Sequence, residues 1–311
     1  MSTVPSVQDR ATGRAAHRVS DDVLRRSAYA LIALCVLAYA ATSWFEAVNP
    51  PAYSSWGSGS ALPLAAFVIA TLAFPVVGVL IVHRDPRNTI GWLMLAIGVV
   101  WAWSSVSEGY VVYALRTNPG SLPRPDLVAA LSAWLWVPAI GLMGIYLILL
   151  FPDGHLPSRR WRPVAWFGAI GMLLVGPVVI FRSGPIDDAS VRGIPNPLGI
   201  PALDGLFDVL SIFLFVIPVG IVLSAAALIV RYRRARGIER LQIKWLAAAG
   251  ALVALVYAVG IACTLLVTGT SGASPLWVQH LQDAGLASFV VIPVAIGVAI
   301  LKHRLYGIDV V

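Results

Sequence analysis

The feature that most constrains the fold is a basic stretch, Arg231–Trp245, between two long apolar runs. Its cationic residues are Arg231, Arg233, Arg234, Arg236, Arg240 and Lys244. A bilayer tolerates such a cluster only in an aqueous loop, and loops rich in Lys and Arg close to membrane spans stay on the cytoplasmic side. The stretch therefore predicts a cytoplasmic loop between two spans, and it sets the direction of every other span.

The composition also favours a membrane protein. Apolar residues make up 59% of the 311 residues and charged residues only 12%, whereas a soluble domain carries about a quarter charged residues. The net charge of +7 does not indicate nucleic acid as a partner, because the basic residues form short clusters at the ends of apolar runs. We therefore expect a multi-pass protein of the cell membrane with the bilayer as solvent.

Runs of about 20 apolar residues are long enough to span a bilayer as helices. The sequence predicts an all-α bundle of eight such spans: 27–48, 61–83, 90–115, 127–151, 163–181, 204–230, 245–267 and a shorter one between Asp283 and Leu301. A polar tail (1–26) precedes this membrane domain (27–301), and a short tail (302–311) follows it. An even number of spans places both tails in the cytoplasm.

The distribution of positive charge supports this arrangement. Of the 22 Lys and Arg residues, 18 fall in the segments predicted to be cytoplasmic. They include Arg159, Arg160 and Arg162 between the fourth and fifth spans, as well as the Arg231–Trp245 group. We interpret these clusters as topology determinants that contact anionic lipid headgroups.

Two carboxylates lie inside predicted spans, where an ionisable group is a candidate functional residue. Glu108 shares a helical face with Trp101, Ser104 and Ser105, and Asp208 lies one turn above Ser211. Both carboxylates fall near the outer ends of their spans, so they could line a shallow pocket for a cation or a small polar ligand. The alternative is that they anchor the span ends among hydrated headgroups.

The sequence contains no constellation typical of catalysis. The five histidines are scattered over tails and loops, and the two cysteines, Cys35 and Cys263, fall inside apolar runs. No metal-ligand spacing and no Gly-rich phosphate loop is present. We therefore expect no cofactor, no metal and no enzymatic activity.

Several loop motifs occur in an order that resembles a known family. They are His83–Leu93, Phe151–Pro163, Asn196–Ile200, Arg231–Trp245 and Arg304–Val311. Together they resemble the N-terminal membrane sensor region of actinobacterial sensor histidine kinases. The chain departs from that pattern at His155, where arginine is expected, and at Gly307, where aspartate is expected. The residues after the eighth span are too few for a kinase, so the resemblance implies a sensory region, either standing alone or part of a longer gene.

The first functional hypothesis is therefore a non-enzymatic signalling module. In it a stimulus repacks the helices and moves the last span, with Pro293 as the hinge. The expected partners are the lipid bilayer, a cytoplasmic signalling protein or kinase module, and, as an open alternative, a second copy of the chain in a homodimer. Two other hypotheses are a small-solute or cation transporter that uses Glu108 or Asp208, and a lipid-modifying enzyme.

Overall fold

A computed structural model describes residues 20–49, 61–186, 193–268 and 275–302. The α-helices in chain order are α1 (Asp21–Val48), α2 (Ala61–Arg84), α3 (Thr89–Val112), α4 (Pro125–Ser132), α5 (Trp136–Gly141), α6 (Ile148–Leu150), α7 (Arg162–Phe181), α8 (Asp204–Leu210), α9 (Val216–Arg234), α10 (Gly237–Thr268), α11 (Leu276–Ser288) and α12 (Val291–Gly297). Three π-helical turns (Tyr113–Thr117, Leu142–Leu147, Val298–Lys302) extend or join them, and three 3₁₀ turns (Arg159–Trp161, Pro201–Leu203, Ser211–Phe215) precede or join them.

Seven helical segments within the described residues are long and apolar enough to cross a membrane. They are 21–48, 64–84, 89–117, 125–150, 159–181, 201–234 and 237–264, and they correspond to the first seven predicted spans. A shorter apolar helix covers Val291–Leu301. The all-helical membrane-protein class predicted from the sequence is thus confirmed at this level.

Two predicted helix starts can be compared with the structure. The sequence offers Asn88 or Thr89 as the N-cap of the third span. In the structure Asn88 caps α3, since its side-chain oxygen accepts from the N–H of Ile90 at 3.0 Å and of Gly91 at 3.3 Å. The first helix, however, begins at Asp21 and not at Ser27, because the Ser20 hydroxyl accepts from the Val23 N–H and satisfies a free donor of its first turn. The helix thus extends six residues into the predicted polar tail (1–26), whose residues 1–19 lie outside the described part of the chain.

The prediction that Arg231–Trp245 is a loop is wrong. Helix α9 continues to Arg234 and α10 begins at Gly237, so only Ala235 and Arg236 separate them. Arg, Lys, Gln and Leu favour helices, and helices can extend beyond the apolar layer with their charged side chains in water. A glycine after a basic last turn is typical of a helix end, but Gly237 begins α10 with a φ of 56°.

The predicted loop between the seventh and eighth spans is also wrong in part. Residues 276–288, which include His280, form helix α11 rather than a loop. The chain then breaks at Phe289 and Val290 before α12 begins. The predicted tail 302–311 lies outside the described residues except for Lys302.

Three breaks in the helices of the bundle coincide with prolines. A proline in a helix lacks an N–H, and its ring collides with the carbonyl four residues earlier. The breaks at Ala133–Leu135, Ser211–Phe215 and Phe289–Val290 each include the residue four positions before Pro138, Pro218 or Pro293. Pro75 and Pro177 lie within continuous helices.

The described part of the long loop after α7 contains the only two strands described, β1 (Pro185–Ile186) and β2 (Ile194–Pro195), which pair antiparallel. Ile186 and Ile194 are buried against the ends of α3 and α4. A minimal hairpin thus closes this end of an otherwise helical bundle.

The principal core joins segments that are far apart in the sequence. It includes Phe74 and Ile81 of α2, Met94 and Ile97 of α3, Leu147 of the second π turn, Ile243 and Leu246 of α10, and Ile296, Ala299 and Ile300 of the last helical segment. The last segment is therefore part of the core of the bundle rather than a peripheral helix.

Hydrogen bonds define one end of the bundle, which we call the arginine-rich end: the turns Asp85–Asn88, Pro152–Ser158 and Ala235–Arg236. The Arg25 Nε donates to the His83 carbonyl at 3.1 Å, and the Arg84 Nη1 donates to the Leu301 carbonyl at 3.3 Å. Gly154 lies against Thr89 at the start of α3. The opposite end carries residues 118–124 and the described residues 182–186 and 193–203.

Candidate functional site

An apolar cavity of about 210 Å³ lies inside the bundle. Its walls come from α2, α3, α5, the second π turn, α10 and the break after α11. The lining residues are Phe67, Ala70, Thr71, Phe74, Trp101, Ile140, Met143, Tyr257 and Phe289. An engineered protein cavity of about 150 Å³ stays dry and binds benzene, so this one can hold a small apolar molecule or the end of an acyl chain.

The geometry of the walls makes the cavity selective for apolar groups. The rings of Phe67 and Trp101 meet edge to face with centroids 5.8 Å apart, and those of Tyr257 and Phe289 do so at 5.2 Å. The Thr71 hydroxyl donates to the Phe67 carbonyl at 2.7 Å. Its one proton is therefore already used within α2, and the cavity surface consists almost entirely of carbon.

Phe289 connects the cavity to the last helical segment. It lies between α11 and α12, where Pro293 interrupts the helix. The chain is held here by shorter-range bonds, from the Val290 N–H to the Ala287 carbonyl and from the Ile292 N–H to the Phe289 carbonyl, both at 3.2 Å. An occupant of the cavity would thus touch the residue at which the helical hydrogen bonding of the last segment is interrupted.

The far end of the last segment is held by side chains of two other helices. The Gln242 Nε2 of α10 donates to the Ala299 carbonyl at 2.9 Å, and Arg84 at the end of α2 donates to the Leu301 carbonyl. Each of these two carbonyls thus accepts from a side chain of another helix. Any movement of the segment must break or re-form these bonds.

Arg231 ties together the arginine-rich end. Its Nη2 lies 2.6 Å from an Asp153 oxygen, its Nε lies 2.8 Å from a Glu239 oxygen, and its Nη1 donates to the His155 carbonyl at 2.9 Å. The side chain is only 11% exposed. The sequence predicted a solvated, lipid-facing arginine here, whereas the structure shows a nearly buried cross-link between the Pro152–Ser158 turn and the corner between α9 and α10.

The other predicted topology residues are exposed. Arg240 lies over the Tyr232 ring, 5.0 Å from its centroid. The remaining exposed members are Arg159, Arg160, Arg162, Arg233, Arg234, Arg236 and Lys244. Their exposure is compatible with contact to lipid headgroups, which stays a prediction.

The residues predicted to form a pocket with Glu108 and Asp208 have different surroundings in the structure. Trp101 lines the apolar cavity, and the neighbouring Ser105 donates to the Trp101 carbonyl at 2.9 Å. Glu108 and Ser104 are partly buried on α3. Asp208 forms an ion pair with Arg182, and Ser211 donates to the Asp208 carbonyl at 2.6 Å. Asp208 is thus neutralised by the loop after α7, and its role in a ligand pocket stays a prediction.

Sequence reasoning missed the cavity residues other than Trp101. Phe67, Ala70, Thr71 and Phe74 recur at the helical spacing of one face, which is the pattern of any core-facing helix. Nothing in that pattern separates a filled interface from one that leaves a space. The described residues contain no group of three His, Cys, Asp or Glu side chains placed to hold a metal ion.

The fold and the cavity define a helical bundle with the helix lengths and composition of a multi-pass membrane protein. No protein-family model, curated protein or solved structure matches the chain.

Proposed function

We propose that the chain is a membrane sensory module in which the apolar cavity is the input site and the last helical segment is the output element. The observation that carries this proposal is the position of Phe289, which both lines the cavity and occupies the break before Pro293. Its ligand would be a small apolar molecule or a lipid tail. A cytoplasmic signalling protein or kinase would receive the output.

The proposal includes an eighth membrane crossing. Residues 276–302 together would measure about 40 Å at the helical rise per residue, which exceeds the hydrocarbon thickness of about 30 Å. The break at Phe289–Val290 would then lie within the membrane, where surrounding helices shield its backbone. Eight crossings would place both termini in the cytoplasm, together with the arginine-rich end.

Sidedness can be tested by cysteine labelling in a Cys35→Ser, Cys263→Ser background. We expect Arg236→Cys to resist a membrane-impermeant maleimide in intact cells and to react in inverted vesicles, because basic loops stay inside. Ser121→Cys at the opposite end is the matched control and should react in intact cells. Labelling of Arg236→Cys from outside would contradict the topology.

Signal transfer follows from a two-state argument. A ligand shifts an equilibrium only by its difference in affinity between the two states. A molecule that fills the cavity stabilises whichever arrangement of Phe289 leaves room for it. The hydrogen bonds from Gln242 and Arg84 to the last segment then determine whether the change at Phe289 moves the end of that segment at Lys302.

A reporter histidine kinase fused after Val311 and reconstituted in nanodiscs tests this coupling. Ala70→Phe places a ring in the cavity and mimics an occupant, while Pro293→Ala restores the missing helical hydrogen bond. We expect each to change autophosphorylation about threefold or more, since a shift of one or two kcal/mol changes a population ratio by a factor of about 5–30.

Matched controls make the same chemical changes on exposed surfaces. Ala226→Phe adds a ring to an exposed position of α9, and Pro218→Ala removes an exposed proline from the same helix. Both should leave reporter output within the error of the wild type. Equal output from all four variants and the wild type would refute the proposal.

A further inference from the structure

A second cavity, of about 660 Å³, lies at the arginine-rich end between the start of α7 and the end of α9. Arg159, Arg160 and Arg234 contribute its charged walls, and Ser158 and Trp161 complete the polar rim. Its volume falls within the range typical of small-molecule sites. It is separate from the apolar cavity beside Phe289, and none of its residues lines that cavity.

The guanidinium groups of the three arginines make no hydrogen bond or ion pair to any described residue of the chain, in contrast to that of Arg231. Among the acidic groups at this end, Asp153 and Glu239 are bound by Arg231, and Asp21 and Asp22 pair with Arg87 and Arg25. No acidic residue lines the second cavity. The cavity therefore concentrates three positive charges that the described parts of the chain leave unneutralised.

The floor of the same cavity is apolar and continues into the lipid-facing sides of both helices. Val164 and Val230 line it. One turn beyond Val164 on α7, Phe167 is 37% exposed, and on the face of α9 that carries Val230, Val219 is 44% exposed, as expected for side chains that face lipid tails. A ligand that fits both surfaces has an anionic head and an apolar body.

We propose that this cavity is a binding site for an anionic phospholipid. Guanidinium groups bind phosphate oxygens in bidentate pairs, so Arg159, Arg160 and Arg234 hold the headgroup phosphate. Trp161 lines the same cavity, and amphipathic rings of this kind settle between headgroups and tails. Val164 and Val230 receive the first methylenes of an acyl chain. The site does not depend on which side of the membrane the arginine-rich end faces.

Native mass spectrometry of the full chain, titrated with dioleoyl phosphatidylglycerol or dioleoyl phosphatidylcholine, tests the site. We expect the wild type to bind phosphatidylglycerol more tightly. The triple variant Arg159→Gln, Arg160→Gln, Arg234→Gln should bind it about tenfold more weakly or worse, since each exposed charge contact contributes up to about 1 kcal/mol and about 1.4 kcal/mol is tenfold.

The control removes the same charge elsewhere. Arg26, Arg233 and Arg236 are exposed and do not line the cavity, so their triple Gln variant should stay within about threefold of the wild type. If the cavity triple variant fails to fold, two double variants replace the triples. The double variant Arg159→Gln, Arg160→Gln is then compared with the double variant Arg233→Gln, Arg236→Gln, so that each protein loses two arginines instead of three.

Three outcomes would overturn the proposal. Equal weakening in the cavity and control triples would show a diffuse charge effect, and equal affinity for the two lipids would show no headgroup recognition. Displacement of phosphatidylglycerol by equimolar glycerol 3-phosphate would show a site for soluble phosphates and not for a lipid. Absence of such displacement, with selective loss in the cavity triple, supports the lipid site.

Discussion

Replacing Arg231 with glutamine is expected to lower the stability of the protein by about 2 kcal/mol, the largest effect of any single charge substitution in the basic stretch. The guanidinium bridges Asp153, Glu239 and the His155 carbonyl with all three nitrogens. Breaking a fully buried ion pair costs about 3–5 kcal/mol. The cost is smaller here because Asp153 and Glu239 are 52% and 41% exposed and regain water.

The melting temperature of the detergent-solubilised protein measures this effect. Arg233→Gln is the matched control, because the Arg233 side chain is exposed and makes no hydrogen bond or ion pair to the described residues. This variant should change stability by less than about 0.5 kcal/mol. Arg231→Lys should fall between the two, since lysine keeps the charge and loses the planar fork. Equal melting temperatures for Arg231→Gln and Arg233→Gln would show that the cross-link contributes nothing.

The spans were predictable because their signal is physical and local. About 20 apolar residues in a row are required by the thickness of the bilayer, and the seven long helices found correspond to the first seven predicted spans. The cap at Asn88 was predictable for the same reason, since the side chain acts on N–H groups two and three residues away.

The predictions that were wrong concern where helices continue beyond the apolar layer. Charge was taken as the sign of a loop in Arg231–Trp245, yet that stretch is largely helical, and α11 begins at Leu276 within the loop predicted before Asp283. A cluster of charged residues indicates that a segment lies in water, and a helix in water keeps its backbone hydrogen bonds. Where a helix ends depends on helix-breaking residues such as proline and glycine. The corner at Ala235–Arg236 is only two residues long, which is too short to be recognised from amino-acid composition.

The cavity and the Arg231 cross-link could not be predicted because both arise from long-range packing. Arg231 meets Asp153, 78 positions earlier, through the relative placement of α9 and the Pro152–Ser158 turn. Nothing in the basic stretch distinguishes Arg231 from the exposed Arg233. In the same way, Phe289 resembles any apolar residue until α2 and α10 are placed around it.

Replacing Gly98 with alanine is expected to lower stability by about 2 kcal/mol, because the packing of α2 on α3 leaves no room for a methyl group. A Cβ built on Gly98 lies 2.6 Å from the Cγ of Pro75, far inside van der Waals contact. The proline ring cannot rotate away, so the helices must separate. Overpacking of this kind typically costs about 1–3 kcal/mol, and close helix approach at small residues is a main source of stability in membrane bundles.

Gly250→Ala is the matched control for this prediction. Gly250 is also a mid-helix glycine, in α10, and a Cβ built there meets no atom within 4 Å. Alanine favours the helix over glycine by up to about 1 kcal/mol, so this variant should melt at or above the wild-type temperature. Opposite signs for the two substitutions would separate the steric contact at Pro75 from the intrinsic effect of glycine. If Gly98→Ala also raised the melting temperature, α2 and α3 would have to pack less closely than the structure shows.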